Sequence, residues 1–133
     1  MKRILMTVIM MTSLMIAVNA TVLFPHFVDI APDYEEGSTP ELTASGIDCA
    51  IYHSTKPGFM ASNFTEVETF FKDTLPSDVE RTESKSGDNI LVTYTSVSKK
   101  KEAVDTGCLK STIYVLKRPD NSFVAAYCEK RIE

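Results

Sequence analysis

Cys49 and His53 are the two side chains whose types most suggest covalent chemistry. A thiol beside an imidazole can act as a nucleophile activated by a base, but only within about 3 Å of it. Four residues along a strand carry the chain about 13 Å, even though both side chains share a face. A packed cysteine and a loop histidine therefore account for the pair, and the sequence predicts no catalytic residues and no enzyme. His26 with Asp33, Glu35 and Glu36 could surround a cation. They lack the alternating acidic positions and fixed glycine of a calcium loop, so they read as a solvated acidic segment and no metal site is predicted. No other pattern calls for a cofactor.

The remaining cysteine chemistry is oxidation. Cys49, Cys108 and Cys128 permit one bridge and leave one thiol, and none of them shows C-x-x-C spacing. Whether oxidation occurs depends on compartment, and the first twenty residues bear on that. Met1-Lys2-Arg3 is cationic, Ile4 to Val18 is an apolar run, and Val18-Asn19-Ala20 ends it with small residues. This is the pattern of a secretory leader cleaved after Ala20, and the run is short of the ~20 residues that span a bilayer. The expected location is periplasmic or extracellular, with no membrane span after cleavage.

Cleavage leaves 113 residues, enough for one domain with its own core. They carry a net charge of −6, which excludes a general nucleic-acid binder because phosphate contacts need a basic surface. The charge is uneven: residues 21–83 hold −9 and residues 84–133 hold +3. The halves can attract each other within one fold, or the dipole can steer a charged partner. Lys99-Lys100-Lys101 reads as a charged tip, and Asn63-Phe64-Thr65 fits a glycosylation sequon in which Asn63 also has a structural use as a cap.

These residues need elements to position them. Thr21 to Ile30 looks like an arm or edge strand broken by Pro25. Residues 31–46, with prolines, glycines and acids, read as a loop without periodicity. Ile47 to Tyr52 alternates as a short strand. Asn63 and Glu66 form a capping-box pair, after which Phe64, Val67, Phe70, Phe71 and Leu75 recur at helical spacing until Pro76. Four strands follow: Val79–Lys85, Ile90–Val97, Cys108–Arg118 and Ser122–Ile132, with turns at Ser86–Asn89 and Pro119–Asn121. The predicted organisation is a leader over 1–20, an arm and acidic loop over 21–46, and an α+β domain over 47–133. In it a single helix packs on a four- to five-stranded antiparallel sheet.

That order of strand, helix and four strands over residues 47–132 resembles the cystatin-like roll. The resemblance is topological. The first hairpin after the helix reads Ser84-Lys85-Ser86-Gly87-Asp88-Asn89 instead of the Gln-x-Val-x-Gly of papain-inhibiting cystatins, and the chain has no Trp for their second hairpin. It implies a fold and no inhibitory activity.

A two-residue turn at Asp120–Asn121 would pair residues whose numbers sum to 241. Leu109, Ile113, Val115, Val124, Ala126 and Cys128 would then share the face toward the helix. Tyr114, Leu116, Phe123, Ala125 and Tyr127 would share the other. Either the Val22–Phe27 arm covers this second face, or Tyr114, Phe123 and Tyr127 form an exposed binding patch. In the same register Cys108 opposes Glu133, roughly 17 Å from Cys128. That distance exceeds the ~7 Å limit between disulfide Cα atoms. Cys49 is then the natural partner of one of the other two, with Cys128 in the matching aliphatic environment, unless all three stay free.

The reading that results is a small exported, non-catalytic binding module that engages a protein or another extracytoplasmic ligand, an inhibitor or immunity protein being special cases. The alternative is a small-ligand cup between helix and sheet. The sequence sets neither the partner's identity nor an oligomeric state.

Overall fold

The computed structural model describes residues 23–99 and 108–132. The leader and its cleavage site at Ala20 lie outside the described residues, as do Lys100 and Lys101. The chain forms an α+β fold built on one six-stranded antiparallel sheet and three helices among the described residues. The expectation of one helix and four or five strands is therefore low on both counts.

In chain order the elements are α1 (Leu23–Ile30), β1 (Glu35–Glu36), α2 (Pro40–Ala44), β2 (Tyr52–Ser54) and α3 (Phe64–Thr74). The strands β3 (Glu80–Ser86), β4 (Asn89–Lys99), β5 (Cys108–Lys117) and β6 (Phe123–Ile132) follow as a meander. The sheet order is β1-β2-β6-β5-β4-β3. The strand before the long helix thus lies beside the last strand, and β3, which follows that helix, forms the opposite edge.

The helix expected from Phe64 onward is capped as its sequence requires. The Asn63 side chain accepts the Glu66 amide at 2.9 Å. Glu66 does not return the bond to Asn63 itself; its Oε1 accepts the amide and hydroxyl of Ser62 at 2.8 and 3.0 Å. Phe64, Val67 and Phe71 are buried, whereas Phe70 is half-buried at the margin of the stripe.

Two segments correct the sequence reading. The arm expected as a strand is helix α1. Its Leu23, Phe27 and Ile30 recur at positions i, i+4 and i+7 and are all fully buried. Pro25 does not prevent this, because the amides of a first turn have no helical acceptor. The segment expected as a structureless acidic loop holds β1 and α2. Thr39 caps α2 by accepting the Leu42 amide at 3.2 Å, Pro40 starts it, and Leu42 is fully buried. Helix α1 packs on β5 and β6, and Leu42 joins the core.

The last hairpin decides the two faces. Lys117 pairs with Phe123, and Val115 with Ala125, so pair numbers sum to 240. Pro119-Asp120-Asn121 is a three-residue loop. The Asn121 amide donates to Arg118 O at 2.9 Å, and Asn121 adopts a φ of 74°. It is a hydrogen-bonded turn that ends on a left-handed residue, the pattern common to three-residue hairpin loops. The expected register is off by one, and a slip of one residue exchanges the faces of one strand relative to its neighbour. Ile113, Val115, Phe123, Ala125 and Tyr127 therefore face α1 and α3. Tyr114, Leu116, Val124, Ala126 and Cys128 form the other face, covered by Leu42 and Ile47. At β5 and β6 both faces of the sheet are buried, each under its own layer.

Cys49 and Cys128 form a disulfide with Cα atoms 5.7 Å apart, as expected. It fixes the 47–51 segment to the second face. The strand expected over Ile47–Tyr52 lies instead at Tyr52–Ser54, sharing only Tyr52 with it, and is preceded by a bond from the Ile51 amide to Tyr127 O at 2.8 Å. On the other side of the sheet, Gly58 lies so close to α1 that a Cβ there would stand 2.6 Å from Pro32 Cδ.

Candidate ligand-binding cleft

The C-terminal half of α3 does not lie flush on the sheet. Between it and the β3 edge runs an open cleft of about 410 Å3. The helix contributes Glu68, Thr69, Phe71 and Lys72, and the connection contributes Leu75, Pro76, Ser77 and Val79. Arg81 of β3 and Tyr94 of β4 complete it. The opening follows from the chain. Pro76 stops the helix, and β3 is a charged edge strand, Glu-Arg-Thr-Glu-Ser-Lys-Ser, with little apolar surface to close the gap.

The cleft has an apolar side and one polar cluster. Phe71 packs edge-on against Tyr94 with ring centroids 4.9 Å apart. Beside them a single carboxylate oxygen, Glu68 Oε2, accepts three hydrogen bonds. Arg81 Nη2 donates at 2.6 Å, Arg81 Nε at 2.9 Å and the Tyr94 hydroxyl at 3.0 Å. Arg81 Nη2 also reaches Glu83 Oε1 at 3.1 Å. Register explains the assembly: Arg81 pairs with Tyr94 across β3 and β4, so both point to the face that α3 covers.

Burial pushes the Tyr94 phenol up to about 12; Glu68 acts in the same direction and Arg81 against it. Burial alone works against the Arg81 charge, but its hydrogen bonds to Glu68 and Tyr94, with the Glu68 charge, outweigh that and hold its proton more tightly than usual. The cluster is thus a hydroxyl and a closed ion pair at neutral pH. It offers polar contacts at one end of an otherwise apolar cleft.

The side chains proposed from sequence as a binding surface do not lie together. Phe123 and Tyr127 are 5 % and 1 % exposed and face the helices. Phe24 and Phe27 of α1 cover Tyr127, with ring centroids at 5.2 and 5.6 Å. The Tyr127 hydroxyl donates to Glu129 Oε2 at 2.7 Å, and burial raises its pKa. Tyr114 lies on the opposite face, half-buried, its hydroxyl 3.8 Å from Cys49 Sγ. The N-terminal segment does cover part of the aromatic set, as one of the two expectations had it, but as a helix.

Cys49 is held in the disulfide, and His53 Nδ1 lies 2.8 Å from Gly37 O. The two are not a pair. Glu41, placed by sequence in the acidic loop, makes a two-pronged bond with Arg118 at 2.7 and 3.0 Å. Among the described residues no three His, Cys, Asp or Glu side chains converge as metal ligands. Among the same residues no helix is long and apolar enough to cross a membrane.

Glu68, Arg81 and Tyr94 carry no sequence signal that joins them. Each belongs to a different element, and Arg81 sits in a strand without an apolar side chain. Only the helix's polar face and the strand's alternation could have placed them, and neither specifies a partner. Comparison with family models, with curated proteins and with solved structures finds no match to this chain.

Proposed function

We propose that the protein is a small exported binding module without catalysis, and that a small ligand occupies the cleft between α3 and the β3–β4 edge. The observation that carries this reading is the cleft itself: about 410 Å3, apolar on the Leu75–Val79 side, with one convergent polar cluster at Glu68, Arg81 and Tyr94. Binding sites for small molecules generally combine these two features. The Cys49–Cys128 bridge supports export, because such bonds persist in oxidising compartments. Engagement of a protein partner is the second reading, and Phe59 favours it. That ring is 97 % exposed at the loop pinned by Gly58, beside Met60.

Amide chemical shifts of the exported protein, titrated with a panel of small apolar compounds, test the first reading. Binding in the cleft shifts Thr69, Leu75 and Val79, and Val79→Trp, which fills the cleft, abolishes the response. Shifts confined to residues around Phe59, or none at all, would overturn it.

A further inference from the structure

Independently of what occupies the cleft, we infer that the free edge of β3 is a self-association surface. A second copy of this chain adds its own β3 there, antiparallel, with Ser84 opposite Ser84 and Glu83 opposite Lys85. β3 ends the sheet, and Glu80 to Lys85 are all exposed. The strand holds no proline, and its seven residues pair one to one with β4 without a bulge. Such an edge is a template for another strand unless its side chains oppose one.

The turn fixes which main-chain groups are free. Gly87 and Asp88 form a two-residue connection, so Ser86 and Asn89 exchange both main-chain bonds. The positions of β3 that bond to β4 are then Ser86, Ser84, Thr82 and Glu80. The N–H and C=O groups of Arg81, Glu83 and Lys85 point away from the sheet and have no strand partner among the described residues. A second antiparallel strand must therefore join these three positions to the same three in the other copy.

Charge selects the register. Arg81, Glu83 and Lys85 share one face and read plus, minus, plus. Symmetry about any of the three would set that side chain against its own copy, and like charges directly opposite destabilise a sheet. Symmetry about Thr82 would set Glu83 against an Arg81 already bound to Glu68 and Glu83 of its own chain. It would also leave Lys85 opposite Val79, outside the strand. Symmetry about Ser84 sets Lys85 against Glu83 twice, and Lys85 makes no ion pair among the described residues. The other face then brings together only Thr82, Ser84 and Ser86. The acidity of the whole chain opposes association at long range, but charges are screened beyond about 8 Å at physiological ionic strength.

Sedimentation of the exported protein from micromolar to millimolar concentration, combined with amide hydrogen exchange, tests this. A monomer–dimer equilibrium is expected, in which the Glu83 and Lys85 amides exchange at least tenfold more slowly in the dimer. Lys85→Glu and Glu83→Lys should each be monomeric while keeping a folded amide spectrum. An equimolar mixture of the two variants should dimerise, because every opposed pair is then Lys with Glu. A protein that stays monomeric at millimolar concentration would overturn the inference. So would a dimer whose Glu83 and Lys85 amides still exchange fast, or a mixture no more associated than the separate variants.

Discussion

Glu68 of α3 and Arg81 of β3 are joined by two hydrogen bonds, at 2.6 and 2.9 Å, to one carboxylate oxygen. This pair is the strut that holds the long helix at a distance from the sheet edge. Its side chains are 33 % and 40 % exposed, so solvent screens it, and a contribution of about 1 kcal/mol is the appropriate scale. Glu68→Gln should lower the unfolding free energy from urea titration by that modest amount and perturb the Tyr94 and Arg81 resonances. An unchanged Tyr94 environment would show that the strut does not form.

The disulfide spans 79 residues of sequence and closes a long loop. Loops of that size contribute about 4 kcal/mol in the chain-entropy account. Peptide mapping without reduction should recover Cys49 linked to Cys128. The double change Cys49→Ser with Cys128→Ser should lower unfolding free energy by several kcal/mol. A Cys108–Cys128 peptide would contradict the observed β5–β6 register, in which Cys108 pairs with Ile132.

Tyr127 and Tyr114 should respond differently to truncation. Tyr127 is packed beneath Phe24 and Phe27, and removing a buried aromatic ring costs about 3–5 kcal/mol. Tyr114 is half-buried on the opposite face, so Tyr114→Ala should cost clearly less. Equal melting midpoints for the two alanine variants would contradict the 240 register.

Tyr94 links stability to alkaline pH. Its folded-state pKa is raised from the ordinary 10 to about 12, chiefly by burial. A raised pKa means that the folded state keeps a proton the unfolded state releases. The associated stability is fully present below pH 10 and is lost as pH rises through about 12. Wild-type protein should therefore lose more stability between pH 9 and 11 than Tyr94→Phe does. Parallel pH profiles for the two proteins would refute the assignment.

Gly58→Ala should destabilise. The new Cβ would meet Pro32 Cδ at 2.6 Å and Ile30 O at 3.1 Å, so the loop must move away from the end of α1. Overpacking of this kind costs about 1–3 kcal/mol. A thermal midpoint equal to wild type would show that the loop is not held against Pro32.

Much of the fold was legible because its signals are local. Asn63, Glu66 and the apolar spacing through Leu75 define α3, since a cap and a stripe are satisfied within one helix. The four strands of the meander were legible from runs such as Ile90–Val97. Helix α1 was missed because eight residues with a proline carry too short a period to separate helix from strand, and burial against β5 and β6 decided it. Helix α2 was missed although Thr39-Pro40 is a start signal, because a single buried side chain, Leu42, anchors it.

The Cys49–Cys128 pairing does not depend on the exact register of the last hairpin, because Cys108 stands several residues from Cys128 whether pair numbers sum to 240 or to 241. The aromatic patch did not survive, because face assignment inverts with a slip of one. Pro119 after Arg118, with Asn121 able to adopt positive φ, is the signal that marks a three-residue loop.

The sequence by itself determined the compartment expectation, the α+β class, the long helix and the meander, and it favoured Cys128 as the partner of Cys49. Those rest on composition, periodicity and reach, which belong to the chain. Only the tertiary structure decided that both faces of β5 and β6 are covered, that Tyr127 is core, and that Glu68, Arg81 and Tyr94 meet at a cleft. These outcomes depend on strand register and on how far α3 stands from β3, and each is fixed by contacts between residues distant in sequence, for which no local pattern exists.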